Sequence, residues 1–177
     1  MATVEPSDRL RDALFRVKRG LSAYVSYLQA CYMKQAFSEY LLYEPILRIL
    51  VAAGYSVCCE HPCPGIEHSG TGDKKRLDFY AKRTDEGQTR ELAIEVKWMR
   101  KKKLDTVSDE EKLRSFLDAK PEGIALLCVF GVERRLGELA LSKDQFKERG
   151  KPVYAVLRKT TYGCRIYQFL PLKKRRK

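Results

Sequence analysis

Eight nearly unbroken apolar residues, Gly123-Ile-Ala-Leu-Leu-Cys-Val-Phe130, constrain this chain more than any other stretch. Such a run is a strand covered on both faces. It requires a parallel or mixed sheet with helices on each side. The 177 residues suffice for one domain with a substantial core, and the apolar fraction of 44% is ordinary for a globular chain.

The elements around this run follow from hydropathy and turn residues. Leu10, Leu14, Val17, Leu21, Tyr24, Val25, Leu28 and Tyr32 recur at helical spacing and predict one long amphipathic helix over 8–32, capped by Ser7, with Gly20 as the point where it can break. Arg9, Arg11, Arg16, Lys18 and Arg19 lie mostly on its other side. A second helix is expected over 37–53, with Ser38 as N-cap and Gly54 as its end. Pro45 either opens that helix or bends it. Strands follow at 55–60, 76–82 and 91–98, with a loop at 61–75 and a turn at 84–88. A helix at 108–119 carries Ser108 and Glu111 as a capping box. Another helix is expected over 133–148, and a final pair of strands at 152–157 and 165–170 around residues 161–163. The expected layout is an N-terminal helical extension at 1–36, one domain at 37–172 and a basic tail at 173–177.

The strand 91–98, Glu-Leu-Ala-Ile-Glu-Val-Lys-Trp, carries the chemistry. Leu92, Ile94, Val96 and Trp98 alternate on one face, and Glu95 and Lys97 share the other with Ala93. Charges in so apolar a strand cost desolvation energy unless partnered. A hairpin turn centred between Glu86 and Gly87 pairs Tyr80 with Ala93, Leu77 with Val96 and Asp78 with Glu95, which sets two carboxylates side by side on one sheet face. Adjacent carboxylates repel unless a cation lies between them, and hard oxygen ligands with room for water suit Mg²⁺, for which Mn²⁺ can substitute. Lys97 projects to the same face, placed to orient or help deprotonate an attacking water or to stabilise charge on a phosphate. The competing explanation is a cross-strand charge cluster of Asp78, Glu95 and Lys97 with no metal.

Asp78, a gap of sixteen residues and then Glu95-Val96-Lys97, within an α-β-β-β-α-β order over about 38–130, resembles the PD-(D/E)xK nuclease superfamily. The proline that names the motif is absent, since Arg76-Leu77 precedes Asp78. The resemblance implies an α/β fold with a restriction-endonuclease-like αβββαβ core: a mixed central sheet flanked by helices, to which this chain adds an N-terminal helix and C-terminal strands. It implies an Mg²⁺-dependent deoxyribonuclease, an endonuclease in preference to an exonuclease. Asp78 and Glu95 would be metal ligands and Lys97 would assist the attacking water. In the family a glutamate on the preceding helix often joins the metal site. Glu44 matches in placement, and Glu39 on the same helix is the alternative. A polar residue on the helix after the triplet supports the site in some members, which nominates Lys112.

The net charge of +12 points to a polyanionic partner, nucleic acid before a membrane surface. Candidate phosphate contacts are Lys74, Lys75, Arg76, Arg100, Lys101, Lys102, Lys103, Lys112, Lys173, Lys174, Arg175, Arg176 and Lys177. A nucleic-acid-binding or dimeric regulatory module on the same fold, without chemistry, is the alternative to the enzyme. The N-terminal helix is the candidate homodimer contact. No apolar run reaches the roughly 18 residues of a membrane span, and no signal peptide precedes the six cysteines, so a soluble cytoplasmic protein with free thiols is expected. Cys58, Cys59, His61, Cys63 and His68 include zinc-ligand types at unsuitable spacing. No Walker loop or dinucleotide fingerprint occurs.

Overall fold

The structure, a computed structural model, describes residues 6–31, 39–66, 76–100, 104–157 and 159–170. It is a mixed α/β protein built on a seven-stranded mixed sheet flanked by helices. The first helix, α1 (Pro6–Ala30), starts at Pro6, whose fixed φ suits a first helical position, so Ser7 lies inside it. It runs unbroken through Gly20. A Cβ there would lie 2.4 Å from Cδ1 of Ile49, so this glycine is where the second helix approaches closely. Lys18 is not on the solvated side. It is 2% exposed, and its ammonium donates to the carbonyls of Arg149 (2.9 Å) and Lys151 (2.6 Å).

A 3-10 turn (Glu39–Leu42) leads into α2 (Tyr43–Ala52). Pro45 is the third residue of α2, where the first-turn N–H groups have no intrahelical partner. Its missing donor therefore costs no hydrogen bond and no kink results. Gly54, at φ +86°, closes the helix. The strands β1 (Ser56–Pro62), β2 (Arg76–Asp85) and β3 (Gln88–Met99) form an antiparallel meander. β3 then pairs in parallel with β4 (Ile124–Val132) after the crossover through α3 (Val107–Ala119). β4 is buried almost throughout, as its apolar run requires. β7 (Thr160–Phe169) lies antiparallel to β4. Its far edge takes both β5 (Phe146–Glu148) and β6 (Val153–Leu157).

Two faces of packing cover the sheet. On one, Leu10, Leu14, Val17, Leu21 and Val25 of α1 join α2 against Phe79, Ile94, Val96, Cys128 and Ile166. Of the two uses open to this helical stripe, packing on the core or on a second copy of the chain, the first is the one the fold makes. On the other, Leu113 and Phe116 of α3 meet Leu77, Ala93, Met99, Leu127 and Val129. Each fully buried side chain of this size stabilises the fold by about 1.5–3 kcal/mol.

Several boundaries differ from expectation. The helix expected over 133–148 is only α4 (Glu133–Gly137). Beyond it Leu139 and Leu141 pack as irregular chain, and Phe146 is drawn into β5, where it stacks edge-on against Phe169 at 5.3 Å. Sheet pairing has overridden helical spacing there. Helix α3 takes Thr106 rather than Ser108 as its N-cap residue, and the Thr106 hydroxyl donates to Glu110 at 2.7 Å. The β6–β7 ladder closes at the Leu157–Thr160 pair, so residues 161–163, expected as the turn, are already strand. Among the described residues no helix is long and apolar enough to cross a membrane. Ser38, Tyr32, His68, the boundary at 36–37 and the tail 173–177 lie outside the described residues, as do Lys74, Lys75, Lys101, Lys102 and Lys103.

Candidate functional site

The β2–β3 hairpin turns at Glu86 and Gly87, both with positive φ (+49° and +79°), which is the twist a two-residue hairpin turn needs. Its register pairs Tyr80 with Ala93, as the turn position demanded, and runs as far as Phe79 opposite Ile94. There the ladder stops. Leu77 does not pair with Val96, and Asp78 does not pair with Glu95 across the backbone. The side chain of Asp78 instead enters the sheet plane: its Oδ2 accepts the Val96 N–H at 2.6 Å, taking the role of a main-chain carbonyl. The next donor on that edge, the Trp98 N–H, is taken at 3.0 Å by Oε1 of Glu39 from the 3-10 turn. Two carboxylates thus cap β3 where β2 leaves it.

Glu95 and Lys97 project from β3 toward α3, which presents Asp109 and Lys112, three residues apart on its buried face. Lys112 Nζ holds Oε2 of Glu95 and donates to the Arg76 carbonyl at 3.0 Å. Lys97 Nζ lies 3.1 Å from Oδ1 of Asp109, and Lys112 Nζ lies 3.7 Å from the same atom. Oε1 of Glu95 and both oxygens of Asp109 accept no hydrogen bond, although they are buried. Four carboxyl groups, those of Glu39, Asp78, Glu95 and Asp109, therefore meet two ammonium groups, with Glu95, Asp109 and Lys112 buried.

Ionisation reflects this crowding. Burial drives the Glu95 carboxyl up to about 9, Asp78 pushes the same way, and Lys112 opposes both. Burial also raises Asp109 against the pull of Lys97. For Lys97 and Lys112 burial acts to lower the ammonium. The acids beside them, Asp109 and Glu39 for Lys97 and Glu95 for Lys112, outweigh it and hold both above the ordinary lysine range. Burial, then Asp78, raises Tyr43, whose hydroxyl donates to Oε1 of Glu60 at 3.1 Å. Burial followed by the Glu95 charge lifts the Cys63 thiol to about 11, so it is an inert neighbour.

The structure thus brings together Asp78, Glu95, Lys97 and Lys112. It does not bring in Glu44, which sits on the outward side of α2 in an exposed ion pair with Arg48 at 2.5 Å. Glu39, two helical positions before Leu41, takes the inward direction instead. Arg76 contributes its carbonyl to Lys112 while its guanidinium donates to the Glu60 carbonyl at 2.8 Å. Arg100 lies over the Trp98 ring, 5.8 Å from its centroid.

Sequence reasoning missed Asp109, Tyr43 and Glu60. Asp109 had a signal, its spacing of three from Lys112 on a helix packed over Glu95. Glu60 has positive φ (+51°) in mid-strand and lies between the pairs Cys59–Phe79 and His61–Leu77, hence opposite Asp78. Among the described residues no three His, Cys, Asp or Glu side chains are gathered closely enough to hold a metal ion by themselves.

No protein-family model, no curated protein and no solved structure matches this chain. The fold and the site define a class of their own description: a mixed-sheet α/β protein with an acid and lysine group where two strands part.

Proposed function

We propose that this chain is a metal-dependent nuclease of the restriction-endonuclease-like, PD-(D/E)xK type, hydrolysing phosphodiester bonds in nucleic acid and DNA first. One observation carries the reading. Where β2 parts from β3, Asp78 sits on the N–H of Val96, the residue after Glu95, and its charge acts on the Glu95 carboxyl; Lys97 follows two residues on, and a buried oxygen of Glu95 has no hydrogen-bond partner.

The donor set fits Mg²⁺. Asp78 and Glu95 are hard oxygen ligands, and an ion that keeps several waters needs few of them. Main-chain carbonyl, water or phosphate oxygens would complete the shell, because among the described residues no third His, Cys, Asp or Glu side chain is close enough. When bound, such an ion polarises a phosphoryl oxygen and lowers the pKa of a bound water. The chain's own groups have distinct tasks. Asp78 and Glu39 fix the edge of β3 through the Val96 and Trp98 N–H groups. Asp109 holds the Lys97 ammonium in place. Lys97, kept above the ordinary lysine range, stays charged at neutral pH, so it orients the nucleophile and offsets phosphate charge and does not remove a proton. Arg76, Arg100 and the basic segments outside the described residues would grip backbone phosphates.

A second reading has its own observation. Lys112 already neutralises Oε2 of Glu95, as a structural ion pair does, and that favours a nucleic-acid-binding module without chemistry. Plasmid cleavage with Mg²⁺ or Mn²⁺, comparing wild type with Asp78→Ala and Lys97→Ala, separates the two. Cleavage lost in both variants is the expected result, and undiminished cleavage by both refutes the mechanism. A wild type that binds DNA in a salt-sensitive way but never cuts it selects the module.

A further inference from the structure

A second feature, at the opposite edge of the sheet from the acid group, concerns the buried Lys18. Its ammonium is tied to two main-chain carbonyls, those of Arg149 and Lys151, on the segment between β5 and β6. Among the described residues no carboxylate forms an ion pair with it. A charge taken this far out of water needs a counter-charge, and the two carbonyl dipoles supply only part of one. Burial accordingly pulls the Lys18 ammonium below its ordinary range, with Cys164 and Glu148 opposing from further off.

Lys18 lines a cavity of about 630 Å³ between α1 and the chain at 149–153. Arg11, Arg149 and Lys151 line it too, and a smaller cavity of about 260 Å³ shares Arg11, Arg149 and Gly150 with it and adds Lys147. The two acids on the walls are engaged elsewhere. Asp12 pairs with Arg16 at 2.8 Å, and Glu148 takes two contacts from Arg165, at 2.8 and 2.7 Å. The groove is therefore cationic in net effect. Its one large apolar feature is Phe15, 48% exposed among the cations on α1. An exposed aromatic ring between phosphate-binding cations is the arrangement that holds single-stranded nucleic acid, with phosphates on the charges and a base on the ring. A duplex buries its base faces, and a purely charged polyanion such as polyphosphate leaves the ring unused.

We infer that the groove between α1 and residues 147–153 binds a single-stranded stretch of nucleic acid, its phosphates on Arg11, Lys147, Arg149 and Lys151 facing the buried Lys18, and one base against Phe15. The inference needs no catalysis, so it stands or falls separately from the nuclease reading.

The test is fluorescence anisotropy of the full chain with a labelled oligothymidine of about 20 nucleotides, enough to span a groove of this kind, in EDTA so that no cleavage occurs. Three variants are compared with wild type: Arg149→Glu with Lys151→Glu, Phe15→Ala, and a charge-matched control, Arg48→Glu with Arg134→Glu, at exposed positions remote from the groove. Arg149 and Lys151 hold Lys18 through their carbonyls, so these substitutions leave that clasp intact. The groove double variant is expected to bind at least about tenfold more weakly than the control and to lower the salt slope by roughly 0.7 for each lost phosphate contact. Phe15→Ala is expected to weaken binding at least about fivefold with an unchanged salt slope. A groove variant that binds as the control does overturns the inference. So does a Phe15→Ala protein that binds as wild type does, or competition by inorganic polyphosphate or an acidic peptide that equals the oligonucleotide charge for charge.

Discussion

Glu95→Gln should make the protein more stable while removing its response to metal. Glu95 is fully buried, and its carboxyl is raised from the ordinary 4.5 to about 9 by burial first and Asp78 second. A raised carboxyl pKa means that, between those two values, the folded state binds a proton the unfolded state has released. Stability contributed at this site is therefore intact below about 4.5 and falls as pH rises toward about 9. At pH 7 the proton uptake spans about 2.5 pH units, which costs on the order of 3 kcal/mol at 1.36 kcal/mol per unit. Glutamine carries no such cost. Its carbonyl can still accept from Lys112, and its amide is a donor where the buried Oε1 of Glu95 has no partner. We expect a gain of about 1–3 kcal/mol at pH 7.5, seen in urea midpoints, shrinking toward zero near pH 4.5 and growing toward pH 9. With about 10 mM Mg²⁺ the wild type should gain melting temperature as any ligand binding the native state demands, and Glu95→Gln should not. A variant less stable than wild type throughout pH 6–9 would refute the reasoning. It would mean that Glu95 is ionised in the fold and that its pair with Lys112 is net stabilising.

Two further substitutions probe what positions the site. Glu39→Ala should abolish most cleavage and cost about 1–3 kcal/mol in thermal or urea unfolding, because the Trp98 N–H loses its acceptor, whereas Glu44→Ala should leave cleavage and melting near wild type. Gly123→Ala should cost about 1–3 kcal/mol by differential scanning calorimetry, since a Cβ there would lie 2.7 Å from the buried Phe116 ring and 2.9 Å from the Lys120 carbonyl. That clash displaces the end of α3, so cleavage should fall further than stability alone accounts for.

How much of this was legible depends on how local each determinant is. The hairpin register was legible because Glu86-Gly87 fixes a two-residue turn, and one turn sets every pair after it. Its premature end was not, since that depends on Asp78 outcompeting a backbone carbonyl for the Val96 N–H, a three-dimensional contest. Glu60 was illegible for a related reason. β1 ends at Pro62 and β2 starts only at Arg76, so no short turn announces the register that sets Glu60 opposite Asp78. The helix expected beyond Gly137 shows the same limit from another side: nothing local to Leu139, Leu141 and Phe146 announces that the edge of β7 offers Phe146 a strand partner.

The choice between Glu39 and Glu44 turns on where α2 begins. Placed in one continuous helix over 37–53, both acids share a rod and either can face β3. Pro45 decides between them. As the third residue of α2 it needs no hydrogen-bond donor, which lets the helix start at Tyr43 with a 3-10 turn before it. The tighter turn rotates Glu39 against Trp98, and the α-helical geometry from Tyr43 onward directs Glu44 to Arg48, one turn along the solvent side. The same start aims Tyr43 inward, its ring 4.7 Å from that of Phe79 and its hydroxyl on Glu60. One proline thus selects which carboxylate reaches the edge of β3, and replacing it with alanine should let the helix extend toward residue 39. The Trp98 N–H would then lose Glu39, and cleavage by Pro45→Ala should fall toward the Glu39→Ala level while circular dichroism reports added helix. Full activity in Pro45→Ala would show that the 3-10 turn is held by packing alone.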